Sequence, residues 1–232
     1  MNELLKTDDC IVSFIDILGA SNLIKKDVDG SLNLVHSVYK ESLDMYEEVF
    51  SNKVKLSIAI FSDNIVVARK ISEEAHLESA FRFVELMSAI IQGNYLFKGV
   101  LARGGIARGH FFKDDIMVWG DGLVKAYNLE NSVAIYPRIV IDPDLISDLG
   151  MYNGKCKGEH WLKQDIDGIT YIDYLQQKYI KEYEFALLRE LGKYDDRVVE
   201  CKNDTRIMQK NIWQLNYIKT KLAENKDESI RN

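Results

Sequence analysis

The chain has no excess of positive charge, no paired cysteines and no apolar run long enough to cross a bilayer. Its 30 Lys and Arg stand against 36 Asp and Glu, a net charge of −6. That balance argues against a dedicated nucleic-acid binder, whose surface is normally basic, although local basic clusters can still hold a nucleotide. The three cysteines, Cys10, Cys156 and Cys201, are scattered without metal-ligand spacing. This speaks against a disulfide framework or zinc module and for a reduced, cytoplasmic setting with the thiols as packing residues. Acidic residues fall among the first nine positions, where a secretory leader would be apolar, so neither a leader nor a membrane span is expected. Repeats and low-complexity segments are also missing. What remains is 232 residues, 47% hydrophobic and 28% charged, an ordinary globular composition for one domain, with or without an appendage.

The chain is organised around Val12-Ser-Phe-Ile-Asp16-Ile-Leu-Gly19. This apolar, β-branched run reads as a buried strand that delivers Asp16 to its C-terminal edge and breaks at Gly19. A carboxylate there is costly unless something pairs with it, and a metal ion is one such partner. Val54 to Val67 repeats the device, two apolar β runs meeting at Ser62-Asp63-Asn64 in a hairpin turn. Two strand-end carboxylates converging on divalent cations suit phosphoryl transfer. The competing reading is two carboxylates that cap turns.

Between these strands, Ser31 to Phe50 carries apolar residues at helical spacing. Ser72 is the expected N-cap of a second helix, with Gly93 as its stop. Gly99 to Phe112 reads as a strand interrupted by glycines, marking a bulge or a close approach by a ligand. Gly120 to Asn131 follows as a short helix and Arg138 to Asp142 as a strand. The order β-α-β-β-α-β predicts an α+β, ferredoxin-like core over residues 1–150. Residues 151–232 are expected to form a C-terminal extension packed on that core: a loop over Met151 to Gly158, a strand at Ile169 to Ile172, and two helices, Tyr174 to Leu191 and Asp204 to Leu222. The last helix has Met208, Ile212, Leu215, Ile218 and Leu222 on one face, for packing on its own domain or for a dimer contact.

Four segments in order, Phe14-Ile-Asp-Ile-Leu-Gly19, Phe61-Ser-Asp-Asn-Ile-Val66, Arg103-Gly-Gly-Ile-Ala-Arg-Gly109 and Val118 to Glu130, resemble the catalytic domain of class III nucleotidyl cyclases. The resemblance implies that Asp16, Asp63 and the Ile17 carbonyl hold two divalent ions, Mg²⁺ or Mn²⁺, per site. It implies that Arg103 reaches the phosphates of a nucleoside triphosphate, a task suited to a guanidinium fork, and that backbone amides at Gly19 and Ala20 meet the triphosphate. Active sites in that family form between two subunits, so a homodimer with interfacial sites is implied.

The departures from the family pattern matter as much. Where purine cyclases carry a base-reading lysine and a second polar residue, this chain has Ala59 and Met117. The positions of the family's transition-state asparagine and arginine hold Val124 and Asn128, and Lys125 or Arg108 is the candidate replacement for the missing charge. Lost purine contacts beside retained metal aspartates resemble the pyrimidine cyclases of Pycsar antiphage systems. These make cyclic UMP or cyclic CMP for a separately encoded effector. The alternatives are an adenylate or guanylate cyclase, and an inactive cyclase-homology module that binds nucleotide or dimerises. A salt bridge is the structural alternative for Arg103, and an exposed strand position for Arg108. His110 is expected at the surface, and Trp119 and Tyr127 in the core.

Overall fold

The computed structural model describes residues 4–50, 54–150 and 161–231. β1 (Asp8–Ile17) is an interior strand of the sheet, and its near-continuous apolar sequence reflects cover on both faces. It pairs antiparallel with β3 (Asn64–Lys70) on one side and with β4 (Ala102–Lys113) on the other. β2 (Ser57–Phe61) joins the outer edge of β3. Two helices, α1 (Ala20–Lys26) and α2 (Val28–Phe50), connect β1 to β2, and α3 (Leu77–Phe97) connects β3 to β4. The strand order β2-β3-β1-β4 with these crossovers is the expected ferredoxin-like βαββαβ core, and the class is α+β.

The sheet continues beyond β4. A two-residue strand, β5 (Val118–Trp119), pairs with the end of β4. After α4 (Asp121–Ser132), β6 (Ile139–Ile141) adds parallel to β4. Past the short α5 (Pro143–Asp148) come β7 (Leu162–Gln164) and β8 (Thr170–Ile172). β8 pairs with β6 through Val140 and Tyr171, so a strand from beyond position 150 extends the same sheet. The expected loop from Met151 to Gly158, with Cys156, lies outside the described residues.

Side-chain alternation assigns the two faces. Ile11, Ile15, Ile65, Val67 and Ile106 pack with Val38 of α2 and Phe81, Val84 and Met87 of α3. Cys10, Val12, Phe14, Val66, Ala68 and Ala107 pack instead with Ala126 of α4. Burial pushes the Cys10 thiol up to about 12, consistent with a packing role. The glycines of β4 do not interrupt the strand, and what comes close to them is a helix. A Cβ on Gly105 would stand 2.4 Å from the Ala126 carbonyl, and one on Gly109 2.7 Å from Gly122 Cα.

Two expected helix signals act elsewhere. Ser72 closes a turn of its own, its Oγ accepting from Ala75 N–H at 3.2 Å, and the helix starts after His76. α3 runs through Gly93, which packs toward Tyr174, and the chain turns at Gly99 with φ +74°. The closing helices are α6 (Gln177–Glu200) and α7 (Thr205–Arg231). Leu215, Ile218 and Leu222 of α7 enter the main core, so that face packs on its own chain. Arg138, 1% exposed, holds the β7–β8 turn by ion pairs to Asp165 at 2.6 Å and to Asp167. Trp213 of α7 donates to the same Asp165 at 2.8 Å.

Candidate active site

Asp16 is the penultimate residue of β1 and lies opposite Asn64 on β3 and Arg103 on β4. Asp63 occupies the tight β2–β3 turn, where Ser62 takes φ +56° and Asn64 Nδ2 donates to the Asp63 carboxylate at 3.3 Å. Sheet register therefore brings both carboxylates to one end of the sheet. Burial raises the pKa of Asp16; the Arg103 guanidinium pulls it down and the Asp63 charge pushes it up.

Arg103 stands at this end, but its nitrogens meet groups of its own chain. Nε is 3.6 Å from Asp16, Nη1 donates to the Ala134 carbonyl at 3.3 Å, and Nη2 is 2.5 Å from Glu130 Oε1. The structural alternative raised for Arg103, a salt bridge, is present. Glu130, on α4, is 3% exposed. Its contact with Arg103 is close without being an aligned hydrogen bond, since Glu130 Oε1 and Arg103 Nε both lack one among the described residues. Burial therefore outweighs the arginine and, with the Asp16 charge, pushes Glu130 up to about 7. The Tyr95 hydroxyl of α3 is buried without a hydrogen-bond partner among the described residues, and the charges of Asp63 and Asp16 add to the effect of burial in raising its pKa.

The other candidates divide between this end and the far one. Gly19 caps α1 in the left-handed region, φ +82°, and Ala20 is buried beneath it. Ile17 ends β1, and Ala59 lies on β2 opposite Val66. Arg108 pairs across from Ile11, about 17 Å along β4 from Arg103 at a strand's rise per residue. Its guanidinium bonds Asp9 at 2.7 Å and Asp148 at 3.1 Å. Lys125 leans on Asp121, 3.3 Å away, and on the Arg108 carbonyl. Met117 is exposed beyond the far end of β4, its N–H donating to Asp114 at 2.8 Å. Within one chain the structure brings Asp16, Asp63 and Arg103 together and leaves Met117, Arg108 and Lys125 apart from them. His110 is at the surface, as expected; Trp119 and Tyr127 are exposed, which corrects their placement in the core.

Two residues at the site escaped the sequence reading. Glu130 ends the Ala126-Tyr-Asn-Leu-Glu130 stretch, and only the crossing of α4 over Gly105 shows that it points inward. Lys210 of α7 is half-buried, and its charge is felt by Glu130.

The donor set suits a hard divalent cation, being carboxylate and carbonyl oxygen throughout. Among the described residues no group of three or more Asp, Glu, His or Cys is arranged to hold a metal by itself. Asp16, Asp63 and a backbone carbonyl would share the ions with ligand oxygens. No helix among the described residues is long and apolar enough to cross a membrane.

No family model and no curated protein matches the chain. Among solved structures it is similar to the adenylyl cyclase CyaB from P. aeruginosa, at 16% identity over 72% of this chain and 94% of that one, with a TM-score of 0.47. It is also similar to the dimeric guanylyl cyclase domain of the RhoGC fusion protein from Blastocladiella emersonii, at 15% identity over 74% and 96%, TM-score 0.48. The guanylate cyclase domain of RhGC from Catenaria anguillulae, in complex with GTP, aligns at 14% identity over 72% and 96%, TM-score 0.45.

Proposed function

We propose that this protein is a homodimeric nucleotidyl cyclase of the class III type that converts a pyrimidine nucleoside triphosphate, UTP or CTP, to a 3′,5′-cyclic nucleotide and pyrophosphate. The observation that carries the reading is the meeting of Asp16 and Asp63 at one end of a ferredoxin-like sheet, with Arg103 set opposite Asp16 by β1–β4 register. Asp16, Asp63 and the Ile17 carbonyl would hold Mg²⁺ or Mn²⁺, two ions per site. When bound, such ions acidify a ribose hydroxyl and neutralise a departing pyrophosphate. The chain's own share is orientation: Arg103, fixed by Glu130 and Asp16, presents a guanidinium beside the phosphate positions.

The separation of the candidates along β4 supports the dimer. A second copy running antiparallel would place its Met117 and Lys125 end over the Asp16 end of the first. Phe61 and Tyr127, 43% and 47% exposed, flank Phe14 on the α4 side and supply apolar surface for that contact. Pyrimidine selection rests on Ala59 and Met117, which offer no side-chain hydrogen bond to a purine edge. In this reading residues 1–150 carry the chemistry and residues 151–232 buttress it. The enzyme works in the cytoplasm, and its product signals phage infection to a separate effector.

The test is incubation of the purified protein with Mn²⁺ and each ribonucleoside triphosphate separately. Cyclic UMP or cyclic CMP is the expected product. A cyclic purine would overturn the pyrimidine assignment and leave the cyclase.

A further inference from the structure

The chemistry proposed above handles a triphosphate, yet α4 supplies no cation toward it at Val124 or Asn128, and Arg103 is engaged within its own chain. The first turns of α7 bring other cations to this end. Trp213 stacks on Tyr136, ring centroids 6.2 Å apart and planes 8° from parallel. Tyr136 belongs to the α4–β6 loop, the same loop whose Ala134 carbonyl accepts from Arg103. Lys210 precedes Trp213 by three residues and Arg206 precedes Lys210 by four, so all three share a helix face. Docking of Trp213 thus carries Lys210 within electrostatic reach of Arg103, Asp16 and Glu130.

The position is unusual for a lysine. Lys210 is half-buried in α7, and its ammonium makes no hydrogen bond or ion pair with any described residue. Burial lowers its ammonium pKa, and the Arg103 and Arg206 charges lower it further, against smaller opposing effects of Asp16 and Asp204. Arg103 is already shared between Glu130 and Asp16, whereas the Lys210 ammonium and the Arg206 guanidinium have no ion-pair partner among the described residues and can take up a polyanion.

We infer that Lys210, with Arg206 beside it, binds the phosphate chain of the substrate, so that the C-terminal helix completes the active site of its own chain. This rests on the cyclase reading for the identity of the substrate. The arrangement itself asks only for a condensed phosphate. α7 is then part of the site as well as part of the core.

The experiment is calorimetric titration of the full chain with inorganic tripolyphosphate and Mg²⁺. Lys210→Gln is expected to weaken binding about tenfold, Lys210→Arg to restore most of it, and Arg206→Gln to weaken it less. Lys219→Gln, on the same helix but paired with Asp195 at 3.4 Å, is expected to leave binding unchanged. Melting temperatures guard against a folding defect, and Lys210→Gln should match or exceed the wild type. Equal binding by wild type and Lys210→Gln, equal losses in the Lys210 and Lys219 variants, or no binding by the wild type would each overturn the inference. Cyclic nucleotide made at an undiminished rate by Lys210→Gln would overturn it while the cyclase reading stands. Lys210-dependent binding in a protein that makes no cyclic nucleotide would uphold the phosphate site and remove the cyclase.

Discussion

Arg103 Nη2 and Glu130 Oε1 lie 2.5 Å apart, joining strand β4 to helix α4 where both side chains are largely shielded from water. The pair ties α4 to the strand that faces Asp16, and it makes the site sensitive to proton concentration.

The sign follows from Glu130. Its folded pKa, about 7, is above the ordinary 4.5, and Asp16 is raised as well. Between those values the native state binds more protons than the unfolded chain, so stability falls as pH rises from about 4.5 to 7. The shift corresponds to an effect on the order of 3 kcal/mol. Calorimetry in EDTA should show the melting temperature dropping by several degrees from pH 5 to pH 7.5, with Glu130→Gln flattening the profile. A flat wild-type profile over this interval would contradict the burial argument.

Gly105→Ala should be costly for a steric reason. The new methyl would meet the Ala126 carbonyl at 2.4 Å and Leu129 Cβ at 2.5 Å, so α4 must move outward and take Glu130 with it. Urea denaturation is expected to show a loss of about 1–3 kcal/mol. Gly150→Ala, with nothing within 4 Å of its Cβ but φ +65°, should show only the smaller backbone cost, about 1 kcal/mol.

Much of this architecture was legible in the sequence because periodicity and local burial dictated it. β1, the Asp63 hairpin, α2, β4, α4 and the strand at Ile169–Ile172 follow from apolar spacing, and Asp16 and Asp63 stand out as lone carboxylates ending apolar runs. Tertiary contacts decided the rest. Gly93 does not stop α3 because that helix is packed along its length, and Ser72 has a nearer turn to close. α1 is seven residues long, too short for its spacing to register. Glu130 and Lys210 look like solvated helix charges in sequence. Only the approach of α4 to Gly105 and of Trp213 to Tyr136 turns them toward Asp16.

Tyr127→Asp and Phe61→Asp test the subunit contact. Both residues are partly exposed on the α4 side, so a charge there costs the folded chain little but opposes burial against a second copy. Sedimentation velocity should show a dimer for the wild type and a monomer for either variant, with melting behaviour retained and cyclic nucleotide lost. A wild-type monomer that makes product would show that one chain suffices.

The central claim is that two strand-end carboxylates carry a cyclisation. The most direct measurement is mass-spectrometric detection of cyclic nucleotide, with pyrophosphate quantified in the same reaction, for wild type and Asp63→Asn in Mn²⁺. The account predicts one pyrophosphate per cyclic nucleotide from the wild type and at least a hundredfold loss of both, on the order expected when an electrostatic contact to the transition state is removed, from a variant that stays folded. Equal product from Asp63→Asn, or pyrophosphate released with only a linear nucleotide, would contradict it.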